Sequence, residues 1–297
     1  MSLAGLLVGT LGGYLAEQPT GRTAYADSLD LRDAPLLGSA LSVGPSSERL
    51  VRDLTFGEPE RFLAPVAPTP RIIIVFDDMG LDRAAFDAVM QLPGPLTLSF
   101  LPYGKESRAL ARAAALRGHD VMLHLPMEPA GGADPGPGSL SSKMSEHELS
   151  AALDRNLAAL DAYVGVNNHM GSKLTRDPRA MQTVLSVIKS RDLFFLDSLT
   201  TRDSVAARIG ERLGARIFVR DVFIDAEGGE ESAMAQLRLV ERIARETGFA
   251  VAIAHPRRET LKAIGPWLAS APARGFVLAT ISSLAPGSAA VSIALRD

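Results

Sequence analysis

The stretch Arg71-Ile-Ile-Ile-Val-Phe-Asp-Asp-Met-Gly80 joins a run of apolar residues to two adjacent carboxylates. A continuous apolar run of this length is typical of a strand that is buried on both faces. Carboxylates at the end of such a strand are costly unless water, a cation or hydrogen-bond donors receive them. The stretch therefore predicts a central strand with a polar site at its carboxyl end.

The same order of apolar strand, polar cluster and helix repeats along the rest of the chain. Apolar strands that alternate with helices indicate a parallel sheet covered on both faces. A closed barrel and a doubly wound sheet both fit this alternation, and no Gly-rich dinucleotide fingerprint follows the first strand. Polar clusters after many strands favour the barrel, because barrel loops converge on one face. We predict an irregular α/β barrel, a (β/α) barrel of seven to eight parallel strands. The predicted strands cover residues 72–76, 96–101, 119–123, 164–166, 193–196, 216–219, 249–254 and 276–281.

The composition excludes several classes of function. The net charge of −3 and the lack of a basic run argue against nucleic acid as a partner. The chain contains no cysteine, so thiolate metal ligands, a cysteine nucleophile and disulfides are all excluded.

The first 70 residues lack the strand–helix alternation. Residues 2–16 are apolar and rich in small side chains, yet too short for a full membrane span and without a basic leader. We interpret them as the remnant of a membrane anchor or signal, with a stray amphipathic helix as the alternative. Residues 64–70 form a Pro-rich linker. The predicted organisation is an anchor remnant and linker over 1–70 and a catalytic barrel over 71–297, in an exported or periplasmic protein anchored to the inner membrane.

Three of the five histidines, His124, His169 and His255, follow predicted strands. Any one of them alone could be a hydrogen-bonded cap or core histidine. Three at equivalent positions, with Asp77 and Asp78 at a fourth, predict a functional site instead. Adjacent carboxylates raise one another's pKa unless a cation is near, and nitrogen and oxygen ligands without sulfur suit zinc or another borderline divalent ion.

Three segments resemble the motifs of NodB-type polysaccharide deacetylases. Val75-Phe-Asp-Asp78 resembles the motif that supplies a catalytic base and then a metal-binding aspartate. Gly118-His-Asp-Val-Met-Leu-His-Leu-Pro-Met-Glu128 resembles the motif that leads to a metal-binding histidine, and Ala252-Ile-Ala-His255 the motif that supplies a catalytic acid. Together, residues 71–284 resemble the divergent polysaccharide deacetylase family, a bacterial branch of this superfamily.

The resemblance implies a metal-dependent hydrolase that removes N- or O-acetyl groups from a cell-envelope carbohydrate. Asp78 and His124 would bind the divalent metal, for which zinc is expected, with Asp77 as general base and His255 as general acid. Glu128 stands where the family has a second metal-binding histidine. The third ligand is therefore either Glu128 or His169, and we favour His169.

Two further aspartates follow strands, and either could orient His255. Asp197 and Asp225 are the candidates, although each could instead cap the next element. Arg220 could pair with either carboxylate. Two alternative functions also stay open at this stage: an envelope scaffold that has lost the reaction, and another barrel hydrolase such as a metal-dependent amidase or phosphodiesterase. The pair Arg257-Arg258 beside His255 is the hint of a phosphate substrate.

Overall fold

The structure is a computed structural model that describes residues 68–284. The predicted anchor remnant and most of the predicted linker lie outside the described residues. The described part contains nine strands and seven α-helices. The strands are β1 (Arg71–Met79), β2 (Thr97–Phe100), β3 (Asp120–Met127), β4 (Gly165–Met170), β5 (Phe194–Asp197), β6 (Arg216–Val219), β7 (Val222–Phe223), β8 (Phe249–Ala254) and β9 (Val277–Ala279). The α-helices are α1 (Arg83–Val89), α2 (Ser107–Leu116), α3 (Glu146–Leu157), α4 (Pro178–Ser190), α5 (Ala206–Leu213), α6 (Glu230–Thr247) and α7 (Arg258–Ser270).

Local sequence explains where several helices begin. Ser145 precedes α3 and forms a capping box with Glu148, in which each side chain bonds the other residue's backbone amide. Asp177 accepts hydrogen bonds from the first free amides of α4, and Pro178 fills the first helical position, where no amide is needed. Among residues 68–284, no helix has the length and apolar character that crossing a bilayer requires.

The predicted parallel barrel is confirmed. Among the described residues, it is not closed by hydrogen bonds between its two end strands, β6 and β7. Eight strands form a ladder in the order β6-β5-β4-β3-β2-β1-β8-β7, and all of their pairings are parallel. β6 and β7 stand at opposite ends of this ladder but are joined by only two residues, Arg220 and Asp221. The ladder must therefore curl until its two ends are adjacent.

The last strand lies outside this ladder. β9 pairs with Arg71–Ile73 at the start of β1, whereas β2 pairs with β1 only from Val75 onward. A buried carboxylate, Asp120, fixes the segment that follows β9, because it accepts hydrogen bonds from the backbone amide (2.7 Å) and hydroxyl (3.0 Å) of Ser282. β9 therefore completes the amino end of the barrel beside β1.

The core has an inner and an outer layer, which the alternation of side chains along each strand produces. Odd-numbered β1 residues such as Ile73 and Val75 pack in the inner cluster with Met122, Leu196 and other residues. The β1 residues Ile72, Ile74 and Phe76 pack in the outer cluster, which also contains buried residues of the helices. This alternation decides which residues at the carboxyl ends of the strands face the inside of the barrel.

Candidate active site

The inward-facing rows of several strands end in polar side chains at one end of the barrel. In β1 the inward row Ile73, Val75 continues to Asp77. In β8 the inward row of Val251 and Ile253 continues to His255, the residue directly after the strand. The same alternation directs a set of polar side chains toward one place at the carboxyl ends of the strands. This set consists of Asp77, Ser99, His124, Asn167, His169, Ser198, Asp225 and His255.

Asp78 reaches the same place only because β1 is irregular there. In a regular strand two neighbouring side chains point to opposite faces. The register between β1 and β2 shifts between Phe76 and Met79, and Asp78 has a left-handed backbone with φ of 58°. Such a conformation is costly for a residue other than glycine and persists where the surroundings impose it, often at functional sites. The bulge lets both carboxylates face the candidate site.

Three side chains converge in a tight triangle. Asp78 Oδ1 lies 3.2 Å from His124 Nε2 and 3.1 Å from His169 Nδ1, and the two ring nitrogens are 3.1 Å apart. Tetrahedral zinc with ligand distances of about 2.0–2.2 Å separates its ligand atoms by about 3.3–3.5 Å. These three residues are also the group among residues 68–284 whose ligand atoms could hold a metal ion. The donor set and its spacing fit a divalent cation.

The electrostatics of Asp78 support this fit. Its Oδ1 is buried and receives no hydrogen bond of good geometry from the described residues, although two imidazole nitrogens lie close to it. Burial by itself raises the pKa of Asp78, but the imidazoles of His124 and His169 outweigh burial and hold the pKa well below its usual range. Asp78 is thus ionised, and its buried Oδ1 is free to bind a cation.

Asp77 lies beside this triangle and is almost completely buried. Its Oδ2 is 3.8 Å from His124 Nε2, and its two oxygens accept hydrogen bonds of 2.9 and 3.2 Å from the amide nitrogen of Asn167. Burial raises the pKa of Asp77, and the neighbouring Asp78 raises it further. A carboxylate with a raised pKa is a stronger base than an exposed one.

His255 lies on another side of the triangle. Its Nε2 is 3.6 Å from Asp78 Oδ2, and its Nδ1 is 3.1 Å from Asp225 Oδ1. The other oxygen of Asp225 accepts hydrogen bonds from the backbone amide of His255 and the hydroxyl of Thr260, so this carboxylate is fixed. The Phe223 ring packs against the imidazole in a T-shaped arrangement. Burial lowers the pKa of His255, but Asp225 and the nearby aspartates outweigh burial and raise it.

The structure places Glu128 in a different environment from the triangle. Its carboxylate accepts hydrogen bonds from Lys173 Nζ (2.6 Å), Ser141 Oγ (3.0 Å) and the amide and hydroxyl of Ser142 (2.8 and 2.7 Å). Burial raises the pKa of Glu128, but these donors outweigh it and lower the pKa to about 2. Glu128 thus joins the end of β3 to the loop before α3, and His169 is the residue that completes the triangle.

Asp197 and the arginines also lie apart from the three ligand-type residues. Asp197 follows Phe195 in the outward row of β5 and accepts hydrogen bonds from Ser204 Oγ (2.6 Å) and the Leu199 amide (2.9 Å). The Arg220 guanidinium donates to the carbonyls of Ser198 and Leu199 and lies over the Phe223 ring. The side chain of Arg257 donates to the carbonyl of Asp225. Of the two candidates for orienting His255, the structure places Asp225 beside it.

Three polar residues of this site were not predicted from the sequence: Asn167, Ser99 and Ser198. Asn167 contacts both Asp77 and His124, Ser198 accepts a hydrogen bond from Asn167, and Ser99 lies beside the Asp77 carboxylate. All three are buried. The signal was present in the sequence, because Asn167 lies two residues before His169 in the same strand and therefore on the same face.

Comparison with known proteins identifies the family of this chain. A model of the divergent polysaccharide deacetylase family matches residues 74–285. The chain belongs to the divergent polysaccharide deacetylase family. It is 30% identical over 202 residues to an uncharacterized protein of Haemophilus influenzae, a match that covers 68% of this chain and 72% of that protein. It is 31% identical over 194 residues to the uncharacterized protein YibQ of Escherichia coli K12, covering 65% and 61%.

One solved structure has the same architecture as this chain. The crystal structure of an uncharacterized protein from Agrobacterium tumefaciens C58 superposes with a TM-score of 0.71 at 31% sequence identity. The match covers 74% of this chain and 90% of that one. The resemblance inferred from the motifs at β1, β3 and β8 is thus confirmed at the level of family and fold.

Proposed function

We propose that this member of the divergent polysaccharide deacetylase family is a metal-dependent deacetylase that acts on a cell-envelope carbohydrate. The observation that supports the proposal is the triangle of Asp78, His124 and His169 with Asp77 and His255 beside it. A base and an acid next to a cation site are the groups that hydrolysis of an acetamide or acetyl ester requires.

Asp78, His124 and His169 would hold the divalent cation, for which the oxygen and nitrogen donors favour zinc. A bound divalent cation polarises a carbonyl oxygen and lowers the pKa of water. Asp77 is held by Asn167 with its oxygens near the triangle, so it takes the proton of the attacking water.

His255 supplies the second proton transfer. Its raised pKa favours the imidazolium form, and Asp225 holds Nδ1 so that Nε2 faces Asp78. His255 therefore gives its Nε2 proton to the departing amine or alcohol, which leaves as a neutral group. The carboxylate of Asp225 stabilises the charged ring until the proton is transferred.

Acetate release from acetylated glycans tests the proposal. After its metal has been removed with a chelator, the protein should release little acetate from N-acetylated chitooligosaccharides or peptidoglycan fragments. Added Zn²⁺ should restore acetate release. The variant D78A serves as a control, because it should lose both the metal and the reaction. Stoichiometric zinc without acetate release from N- and O-acetylated substrates would reject the deacetylase and favour the inactive scaffold or another hydrolase.

We also propose that the protein works outside the cytoplasm, anchored at the inner membrane through its N-terminal region. The support is the apolar, small-residue stretch at residues 2–16 and the Pro-rich linker at 64–70. Fractionation of the bacterium's own cells, with the native protein detected by antibody, should recover it with inner membranes, accessible to protease from the periplasmic side. Recovery in the cytoplasmic fraction would contradict this localisation.

A further inference from the structure

We infer that Asn167 is a positioning residue that links the general base Asp77 to the metal ligand His124, an inference that rests on the proposed function of this site. Asn167 lies in β4 directly opposite His124 of β3 in the parallel register. Its side chain has no exposure to solvent. A buried amide in a central strand is costly unless its donors and acceptor are all used, and here they are used by the site itself.

The two ends of the amide contact two different groups. The nitrogen of Asn167 lies 2.9 and 3.2 Å from the two oxygens of Asp77, and the oxygen contacts Nδ1 of His124. Asp77 is ionised when it acts as the proposed general base, and an ionised carboxylate can only accept hydrogen bonds. The donating end of the amide therefore faces Asp77, and the same nitrogen faces the Ser198 hydroxyl, whose own proton goes to the carbonyl of Asn168. The oxygen of the amide is then the atom that faces His124.

This orientation of the amide determines the proton on His124. Because the amide oxygen only accepts, Nδ1 of His124 must carry the proton. The lone pair of Nε2 then faces Asp78 Oδ1 and His169 Nδ1, at 3.2 and 3.1 Å. Partners of this kind fix the tautomer and ring orientation of histidine ligands, and their loss typically lowers metal affinity by about 10–100-fold.

The amide of Asn167 is itself held in place. Its nitrogen also lies 3.1 Å from the hydroxyl oxygen of Ser198, and that hydroxyl donates to the carbonyl of Asn168 at 3.0 Å. The donor that orients Asp77 and the acceptor that orients His124 therefore belong to one rigid planar group. A single side chain couples the position of the base to the position of the ligand.

The test uses substitutions at Asn167 in the full chain. N167L removes donor and acceptor at similar volume and should lower Zn²⁺ affinity about 10–100-fold in competition with a chelator. N167D keeps an acceptor toward His124, so it should bind Zn²⁺ at least as tightly as the wild type. N167D also replaces the donor to Asp77 with a second carboxylate, so its acetate release should fall while its Zn²⁺ site stays filled.

A buried asparagine elsewhere provides the matched control. Asn156 in α3 is 5% exposed, and its amide donates to the carbonyls of Ala152 and Gly138. N156L should lower the melting temperature and leave Zn²⁺ affinity unchanged. If N167L does not fold, N167A replaces it. Wild-type Zn²⁺ affinity in a folded N167L or N167A, or equal losses of affinity in the Leu and Asp variants, would overturn the inference.

The affinity measurement separates this inference from the proposed reaction. If the wild type binds Zn²⁺ but releases no acetate, the deacetylase proposal fails, and the expected order of affinities among the Asn167 variants still supports the positioning role. If the wild type binds no divalent cation, the link from Asn167 to a metal ligand is overturned as well.

Discussion

At the scale of single residues, Asp77 and His255 are expected to act in proton transfer without holding the metal. D77N and H255A should each retain bound Zn²⁺, because neither residue belongs to the triangle of ligand-type atoms. Loss of a general acid or base lowers turnover by roughly 10²–10⁴-fold. Metal content, melting temperature and acetate release measured on the same samples check this.

Asp197 offers a control of the same residue type. It is buried like Asp77 but hydrogen-bonds Ser204 and the Leu199 amide. D197N should lower the melting temperature with little change in acetate release per folded molecule. If D77N behaves like D197N, Asp77 has a structural role and the assignment as general base is wrong.

A second residue-scale prediction decides the third metal ligand. H169A should lose Zn²⁺ from the site, because one donor of the triangle disappears. E128A should keep Zn²⁺, because the Glu128 carboxylate is engaged by Lys173, Ser141 and Ser142. The zinc content of the two variants, measured after dialysis, shows which residue is the third ligand. Full occupancy in H169A together with an empty site in E128A would reverse the assignment.

Residue types and strand ends were enough to predict most of this site, but not its details. The sequence places Asp77, His124 and His255 after apolar strands, and the structure brings them together. The sequence could not show whether Asp197 or Asp225 orients His255. A shift of one residue along a strand moves a side chain to the other face, and the sequence does not define the strand ends that closely. Nor could the sequence show that Asp78 has a left-handed backbone that turns its side chain inward. Aspartate adopts this conformation more often than most residues, but its residue type does not reveal which aspartate will do so.

At the scale of elements, Glu128 joins β3, the loop before α3 and the segment after β4, so acid should loosen this connection. The pKa of Glu128 falls from 4.5 to about 2 in the folded state. A depressed carboxylate pKa contributes stability that is present above pH 4.5 and is lost as the pH falls toward 2. Wild type should therefore lose more stability than E128Q between pH 5 and about 2, measured by urea unfolding.

A constant difference between the two proteins across this pH range would contradict the prediction. Glutamine has almost the same volume as glutamate and lacks its charge. The comparison of E128Q with the wild type therefore isolates the effect of the charge. Near neutral pH the variant should be the less stable of the two, because the ionised form makes the stronger hydrogen bonds.

The last strand depends on one buried carboxylate. Asp120 accepts two hydrogen bonds from Ser282, just after β9. D120A should lower the free energy of unfolding by roughly 1–3 kcal/mol, because it leaves the Ser282 donors without their partner. The exposed pair Arg83–Asp87 gives a control, since D87A should change stability by at most about 0.5 kcal/mol. Equal effects of both variants would show that Asp120 does not fix β9.

The eight predicted strands are present, because each contains an apolar stretch that alternates with the predicted helices. β7 was missed, since Val222–Phe223 has only two residues and no pattern can be read from two positions. The sequence also gave no sign that β9 lies beside the start of β1 and outside the main ladder. Strand order depends on which elements fit together in space, which local periodicity does not encode.

At the scale of the whole molecule, the barrel should fold without the N-terminal region. Residues 71–284 contain every strand of the described ladder and both core clusters. A chain that begins at residue 68 should unfold in one cooperative transition with a melting temperature close to that of the full chain. Thermal unfolding followed by circular dichroism checks this, and a large fall in melting temperature would show that the first 67 residues stabilise the barrel.

The pairing of β1 has a consequence for how the protein is made. β1 carries both aspartates of the candidate site and is the first strand of residues 68–284 to leave the ribosome. Two of its three partners, β8 and β9, are the last two strands of the same range. Roughly 200 residues separate Asp78 from Ser282, which takes on the order of tens of seconds at about 5–20 residues per second. During this time β1, with Asp77 and Asp78, lacks its pairing with β8 and β9. A chain released before β8 and β9 are made therefore carries Asp77 and Asp78 but lacks His255 and two of the strands that pair with β1.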